Sequence, residues 1–169
     1  SGLRVLLDPE ASAAIQYGVF QIPVTFVIDA SVAIKWFVEE DLSEQAWHVL
    51  GSGQRLLAPA FLRVEVSNII WKKTVRGEIS REQASLILER IALPAFISEF
   101  IPDEMLLETA LSRAIDLKHP VYDCLYIACT EAADATLVTS DERLSRLLSS
   151  SALSLRHVAL AQVHSILPS

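Results

Sequence analysis

Four acidic side chains stand where a carboxylate is conspicuous. Asp29 follows the apolar, largely β-branched run VTFVI (24–28), and Glu65 sits beside Leu62, Val66 and Ile69 at the edge of an apolar stripe. Asp123 comes three residues after Pro120, and Asp141 follows the run ATLVTS (135–140). An ionised carboxylate beside a core loses hydration worth several kcal/mol unless a partner compensates. Each acid also has a plain structural use. Asp29 can begin a turn or cap the next helix, while Asp123 and Asp141 at helix N-termini are favoured by about 0.3–1 kcal/mol. Thr139 and Glu142 write a capping-box pattern around Asp141. A glutamate placed like Glu65 is either a salt-bridge partner or a ligand.

Placing these acids falls to strands and helices that alternate along the chain. Apolar runs predict strands at 24–29, 55–59, 95–102 and 135–140, with a possible fifth in LSLRHVAL (153–160). Helices are expected over 31–38, 43–51 and 61–76, the last ended by Gly77. Ser80 and Gln83 open another in a capping-box pattern that stops before Pro94. Asp103 is expected to cap a long helix to about Lys118, Pro120 to introduce the next, and DERLSRLLS (141–149) to form the last. This alternation predicts an α/β fold: one domain, a central parallel sheet of four to five strands, helices on both faces.

In such a sheet the strand ends and the following helix starts gather along one edge, where ligand crevices form. The four acids therefore converge. Carboxylates crowded into one crevice repel and raise one another's pKa. Mg²⁺ or Mn²⁺ would resolve this, since both prefer oxygen ligands and are held by a few carboxylates plus water. Such an ion polarises a phosphoryl oxygen and supplies hydroxide.

Composition narrows the classes. The chain has 169 residues, 51% of them hydrophobic, with mean hydropathy +0.37 and net charge −7. Electrostatic wrapping of a duplex is disfavoured by that charge. Residues 54–90 nevertheless hold seven Arg or Lys against four Glu, which reads either as a solvated face or as a phosphate-contacting patch. No run reaches the roughly 20 apolar residues of a membrane helix. The apolar surplus suggests a sheet buried on both faces or a surface covered by a partner. Cys124 and Cys129 lie about 140° apart on a helix at roughly 100° per residue, so they are read as buried hydrophobes suited to a reducing cytosol. His48, His119, His157 and His164 are scattered and are read as structural or surface residues. Residues 1–23 are expected to be an extension or an expression-derived segment, with the compact domain spanning 24–169.

The blocks VIDASVAIKWF, APAFLRVEVSNIIWK and HPVYDCLYIACTEAADATLVTSDERL follow one another in an order that resembles the PIN-domain ribonucleases, in particular the VapC-type toxins of bacterial toxin–antitoxin pairs. The resemblance spans roughly residues 24–160. It implies that Asp29, Glu65, Asp123 and Asp141 are the family's acidic quartet binding Mg²⁺ or Mn²⁺, and that Ser31 and Thr139 orient those carboxylates. It further implies cleavage of RNA by metal-activated water, an antitoxin that occupies the acidic groove, homodimerisation, and a cytoplasmic setting. Other readings carry specific difficulties. A phosphoaspartyl phosphatase wants a second Asp two positions after Asp29, where Ser31 stands. A signal receiver needs an acidic pair at the first strand and a lysine after the last. A silent PIN-like binding module would be expected to lose quartet members. A DNA flap nuclease shares the same acids.

Overall fold

The structure, a computed structural model, describes residues 24–167. The expected extension 1–23 lies outside the described residues. In chain order the elements are β1 (Thr25–Ile28), α1 (Ala30–Ala33), α2 (Ser43–Gly51), β2 (Arg55–Pro59), α3 (Leu62–Val75), α4 (Arg81–Ile91), β3 (Glu99–Ile101), α5 (Leu107–Leu117), α6 (Val121–Ala132), β4 (Thr136–Thr139), α7 (Glu142–Ser150) and β5 (His157–Ala159). Short 3₁₀ turns cover Ile34–Trp36, Asp103–Met105 and Leu160–Ser165.

The five strands form one sheet in the order β3-β2-β1-β4-β5, every neighbour parallel. β1 lies at the centre, with Phe26 opposite Leu56 on one side and Thr136 on the other. Successive strand residues point to opposite faces, yet Phe26, Val27 and Ile28 are all fully buried, so both faces are covered. That burial accounts for much of the apolar content. α6 packs across β1, β2 and β4 and contributes an unbroken buried run from Cys124 to Thr130.

Several local expectations shift once the chain is folded. The helix after Asp29 is α-helical only to Ala33 and tightens to a 3₁₀ turn through Trp36, whose indole N–H donates to the Ala46 carbonyl (2.8 Å). The strand expected over 95–102 pairs only at Glu99–Ile101, opposite Leu57–Pro59, because the Phe96 and Ile97 N–H groups turn back to the Leu93 carbonyl. Asp103 does not cap a long helix. Its carboxylate accepts from the Phe61 N–H (2.9 Å), tying the start of α3 to the far side of β3, and the helix proper begins at Leu107. The Ser80–Gln83 capping box forms as read.

The basic segment is partly neutralised. Arg55 pairs with Glu99, Lys73 bridges Glu40 (2.6 Å) and Glu78 (3.0 Å), and Arg63 lies over the Phe100 ring. Lys73 is thus a structural clamp, while Lys72 stays exposed.

Candidate active site

The parallel sheet sends the carboxyl ends of β1 and β4 to the same edge. Asp29 is the first residue past β1, 5% exposed, and it caps α1 through the Val32 N–H (3.1 Å). The Ser31 hydroxyl donates to the same oxygen at 2.6 Å, and the Thr139 hydroxyl donates to the other. Both hydroxyls also accept: Ser31 Oγ from the Ser140 N–H and Thr139 Oγ1 from the Asp141 N–H, each at 2.9 Å. Two relays therefore join the β4–α7 turn to one carboxylate. Thr139 faces Asp29 instead of forming a capping box with Glu142. Asp141 itself caps α7, accepting from the Arg143 and Leu144 N–H groups at 2.7 and 3.1 Å.

Glu65 lies in the first turn of α3, and the salt-bridge option for it is not realised among the described residues. Its partner is the Tyr126 hydroxyl, which donates at 2.6 Å from buried α6. Asp123, in the first turn of α6, has His119 Nε2 2.7 Å from its Oδ2. His119 Nε2 makes no well-aligned hydrogen bond there, so the contact is close without being a well-formed hydrogen bond. Lys118, at φ +51, ends α5 and turns the chain toward α6.

Electrostatics tie the group together. Burial raises the Asp29 carboxyl to about 6, the hydrogen bonds from Ser31, Thr139 and Val32 offset part of that rise, and the Asp141 charge adds to it. Glu65 is raised by burial, eased by Tyr126, and raised further by Asp29, Asp123 and Asp141. Asp123 is raised by burial, eased by His119, and raised again by Asp141. The four residues predicted from sequence are thus brought to one edge, at the N-termini of four helices, where Glu65 feels the charges of the other three. Helix dipoles offset some of the repulsion, though α1 is too short to contribute much.

Among the described residues no three His, Cys, Asp or Glu side chains stand together closely enough to hold a metal ion by themselves. The donor set is instead a set of partly desolvated oxygens with surplus negative charge. An ion at this edge would have to be held through one or two carboxylates and water, the way Mg²⁺ is usually bound. Cys124 and Cys129 take no part, since burial pushes their thiols up to about 11 and 12.

Two residues escaped sequence reasoning. Tyr126 looks like one more apolar position of a buried helix, and its only signal is falling three residues after Asp123. His119 is four residues before Asp123 across Pro120, a spacing that carries meaning only once the turn is known.

Residues 26–148 match the family model for the PIN domain. The chain belongs to the PIN-domain family. Within it the chain groups with the VapC proteins: it is 32% identical over 127 residues to Ribonuclease VapC3 of Pyrobaculum aerophilum, covering 70% of this chain and 91% of that one. The fold agrees with solved structures. PAE2754 from Pyrobaculum aerophilum aligns with a TM-score of 0.62 at 21% identity, over 84% of this chain and 95% of that one. VapBC2 from Rickettsia felis, bound to a DNA fragment from their promoter, aligns with a TM-score of 0.55 at 13% identity, over 80% and 98%. In this PIN domain, then, the crowded edge is built from segments spread over the whole matched region, from Asp29 to Asp141.

Proposed function

We propose that this PIN domain is a metal-dependent endoribonuclease acting as the toxin of a toxin–antitoxin pair. Its Asp29, Glu65, Asp123 and Asp141 would hold Mg²⁺ or Mn²⁺. The observation that carries the reading is geometric: four carboxylates from four separate helix starts meet at one sheet edge, near enough that Asp29, Asp123 and Asp141 all raise Glu65, with no lysine or arginine paired to any of them among the described residues. When bound, the ion would polarise a phosphoryl oxygen and supply hydroxide near neutral pH. Ser31 and Thr139 hold the Asp29 carboxylate in one orientation by donating to both of its oxygens. Tyr126 holds Glu65 through one oxygen, and His119 Nε2 stands 2.7 Å from the Asp123 carboxylate. The ribonuclease name of the VapC3 relative supports RNA as substrate, and the VapBC2 complex supports a partner protein.

Pairing with a second copy is supported by α5, whose Leu107, Leu111 and Ile115 form an exposed stripe at i, i+4 and i+8. A cytoplasmic setting is supported by two free, buried thiols, and no described helix is long and apolar enough to cross a membrane.

The test is cleavage of a structured RNA with Mn²⁺ or Mg²⁺, abolished by EDTA. Changing an outer partner of a metal ligand costs about 10- to 100-fold, so Asp29→Asn, which alters a ligand itself, should lose about 100-fold or more. Cleavage that survives both EDTA and Asp29→Asn would sink the assignment.

A further inference from the structure

Beside the acidic edge, and sharing the turn 139–142 with it, lies a cavity of about 730 Å³. Besides that turn its lining draws on Lys35, on Asp41 and Leu42 of the loop before α2, on Ser145 and Arg146 of α7, and on residues 159–161 at the end of β5 and after it. The size falls within the 300–1,000 Å³ typical of small-molecule sites, and the mix of apolar wall with a few polar groups is typical of them too.

The loop that supplies Asp41 and Leu42 is firmly held. Glu40 is gripped by Lys35 (3.0 Å) and Lys73 (2.6 Å), and it exchanges hydrogen bonds with Ser43: its N–H donates to Ser43 Oγ (3.0 Å), and its carbonyl accepts from the Ser43 N–H (3.1 Å). Between these anchors Leu42 sits at φ +68, a left-handed conformation costing a branched residue on the order of 1–2 kcal/mol. A strained residue that its surroundings enforce, at the wall of a cavity that also contains Asp141, points to a site shaped for a ligand.

We propose that this cavity receives the base of the nucleotide flanking the scissile phosphate, and that Asp41 selects guanine. The inference rests on the nuclease reading above and supplies its base preference. Leu42 and Leu160 offer apolar surface to a base face, and Arg146, its Nε bonded to the Glu142 carbonyl (3.2 Å), brings a cation for the adjoining backbone. Single-stranded RNA is read in this way, by splaying a base out and bonding its Watson–Crick edge. Guanine presents N1–H and N2–H side by side, which the two oxygens of a carboxylate accept together, whereas uracil presents one N–H between two carbonyls that a carboxylate repels.

The experiment is an NMR titration of the full chain, in metal-free buffer, with 5′-GMP and 5′-UMP. GMP should shift amides at 41–43, 145–146 and 159–161, and it should bind roughly five- to a hundredfold tighter than UMP, the range for one bidentate base contact. Ser145→Trp should fill the cavity and remove the shifts. Asp41→Asn, an exposed change that does not threaten the fold, should erase the preference for GMP while the weaker shifts stay in the same residues. Shifts located elsewhere, equal affinity for the two nucleotides, or an undiminished preference in Asp41→Asn would overturn the proposal. RNA cleavage by a wild-type protein that shows no GMP shifts also overturns it while leaving the nuclease reading intact. Pocket shifts without any RNA cleavage support the base site and count against the nuclease reading alone.

Discussion

Glu40 and Asp29 are both carboxylates drawn out of water, on loops eleven positions apart in sequence. Glu40 meets Lys35 and Lys73, while Asp29 meets two hydroxyls and one backbone N–H. Burial raises the pKa of each. At Glu40 the two lysines outweigh burial and leave it below the ordinary value, and at Asp29 the neutral donors do not, leaving it at about 6. Cations are thus paired to the carboxylate where a loop must be fixed, while at the crowded edge no lysine or arginine pairs with an acid and Arg143 acts on Asp123 only from a distance. The first arrangement stabilises the fold; the second destabilises it until something positive arrives.

This contrast is sharpest when one chemical change, carboxylate to amide, is made at both places. Asp29 in the native state holds its proton more tightly than the unfolded chain, about 6 against 3.8. The stability this brings is fully present below pH 3.8 and lost as pH rises through 6. Over that window it amounts to about 3 kcal/mol. Urea unfolding in EDTA should therefore show wild type losing stability from pH 4 to 7, with Asp29→Asn flattening the slope and unfolding later at pH 7. A flat wild-type curve would break the contrast.

Glu40→Gln should act in the opposite direction, lowering stability at pH 7 by about 1–3 kcal/mol, because two lysines lose a charged partner. The loss should be the same in EDTA and in Mn²⁺. A variant as stable as wild type would mean the lysines find other partners, and Glu40 would cease to be a structural charge.

The smallest expected effect belongs to Tyr126→Phe. It removes one hydrogen bond to Glu65 without emptying the buried ring site, so stability should change by about 1 kcal/mol or less. Mn²⁺ affinity, read by the metal-induced rise in melting temperature, should fall about tenfold, as for other partners of metal ligands. An unchanged Mn²⁺ response would make the tyrosine a packing residue only.

Legibility in the sequence followed the range of the interaction. β1, β2 and β4 were readable because each is a short, mostly apolar run bounded by polar or turn residues, β-branched in β1 and β4, and the Ser80–Gln83 box was readable because both partners lie within one turn. The extent of β3 was not, since the apolar residues before it are drawn into a turn on the Leu93 carbonyl after α4. Asp103 was misjudged for a similar reason: its N–H donor, Phe61, lies 42 residues away.

The sequence by itself determined the alternation of strands and helices, the parallel sheet that follows from it, and the four acids placed at helix starts. Periodicity, capping and turn chemistry act over a few residues, so they are written locally. Tertiary structure decided what each acid meets: Thr139 reaches Asp29 across 110 positions, and Tyr126 reaches Glu65 across 61. It also decided that Lys73 turns to Glu40 and leaves the acidic edge without a cation from the basic segment. Such pairings depend on which side chains the sheet order brings together, and on the desolvation that makes a partner necessary once they are buried.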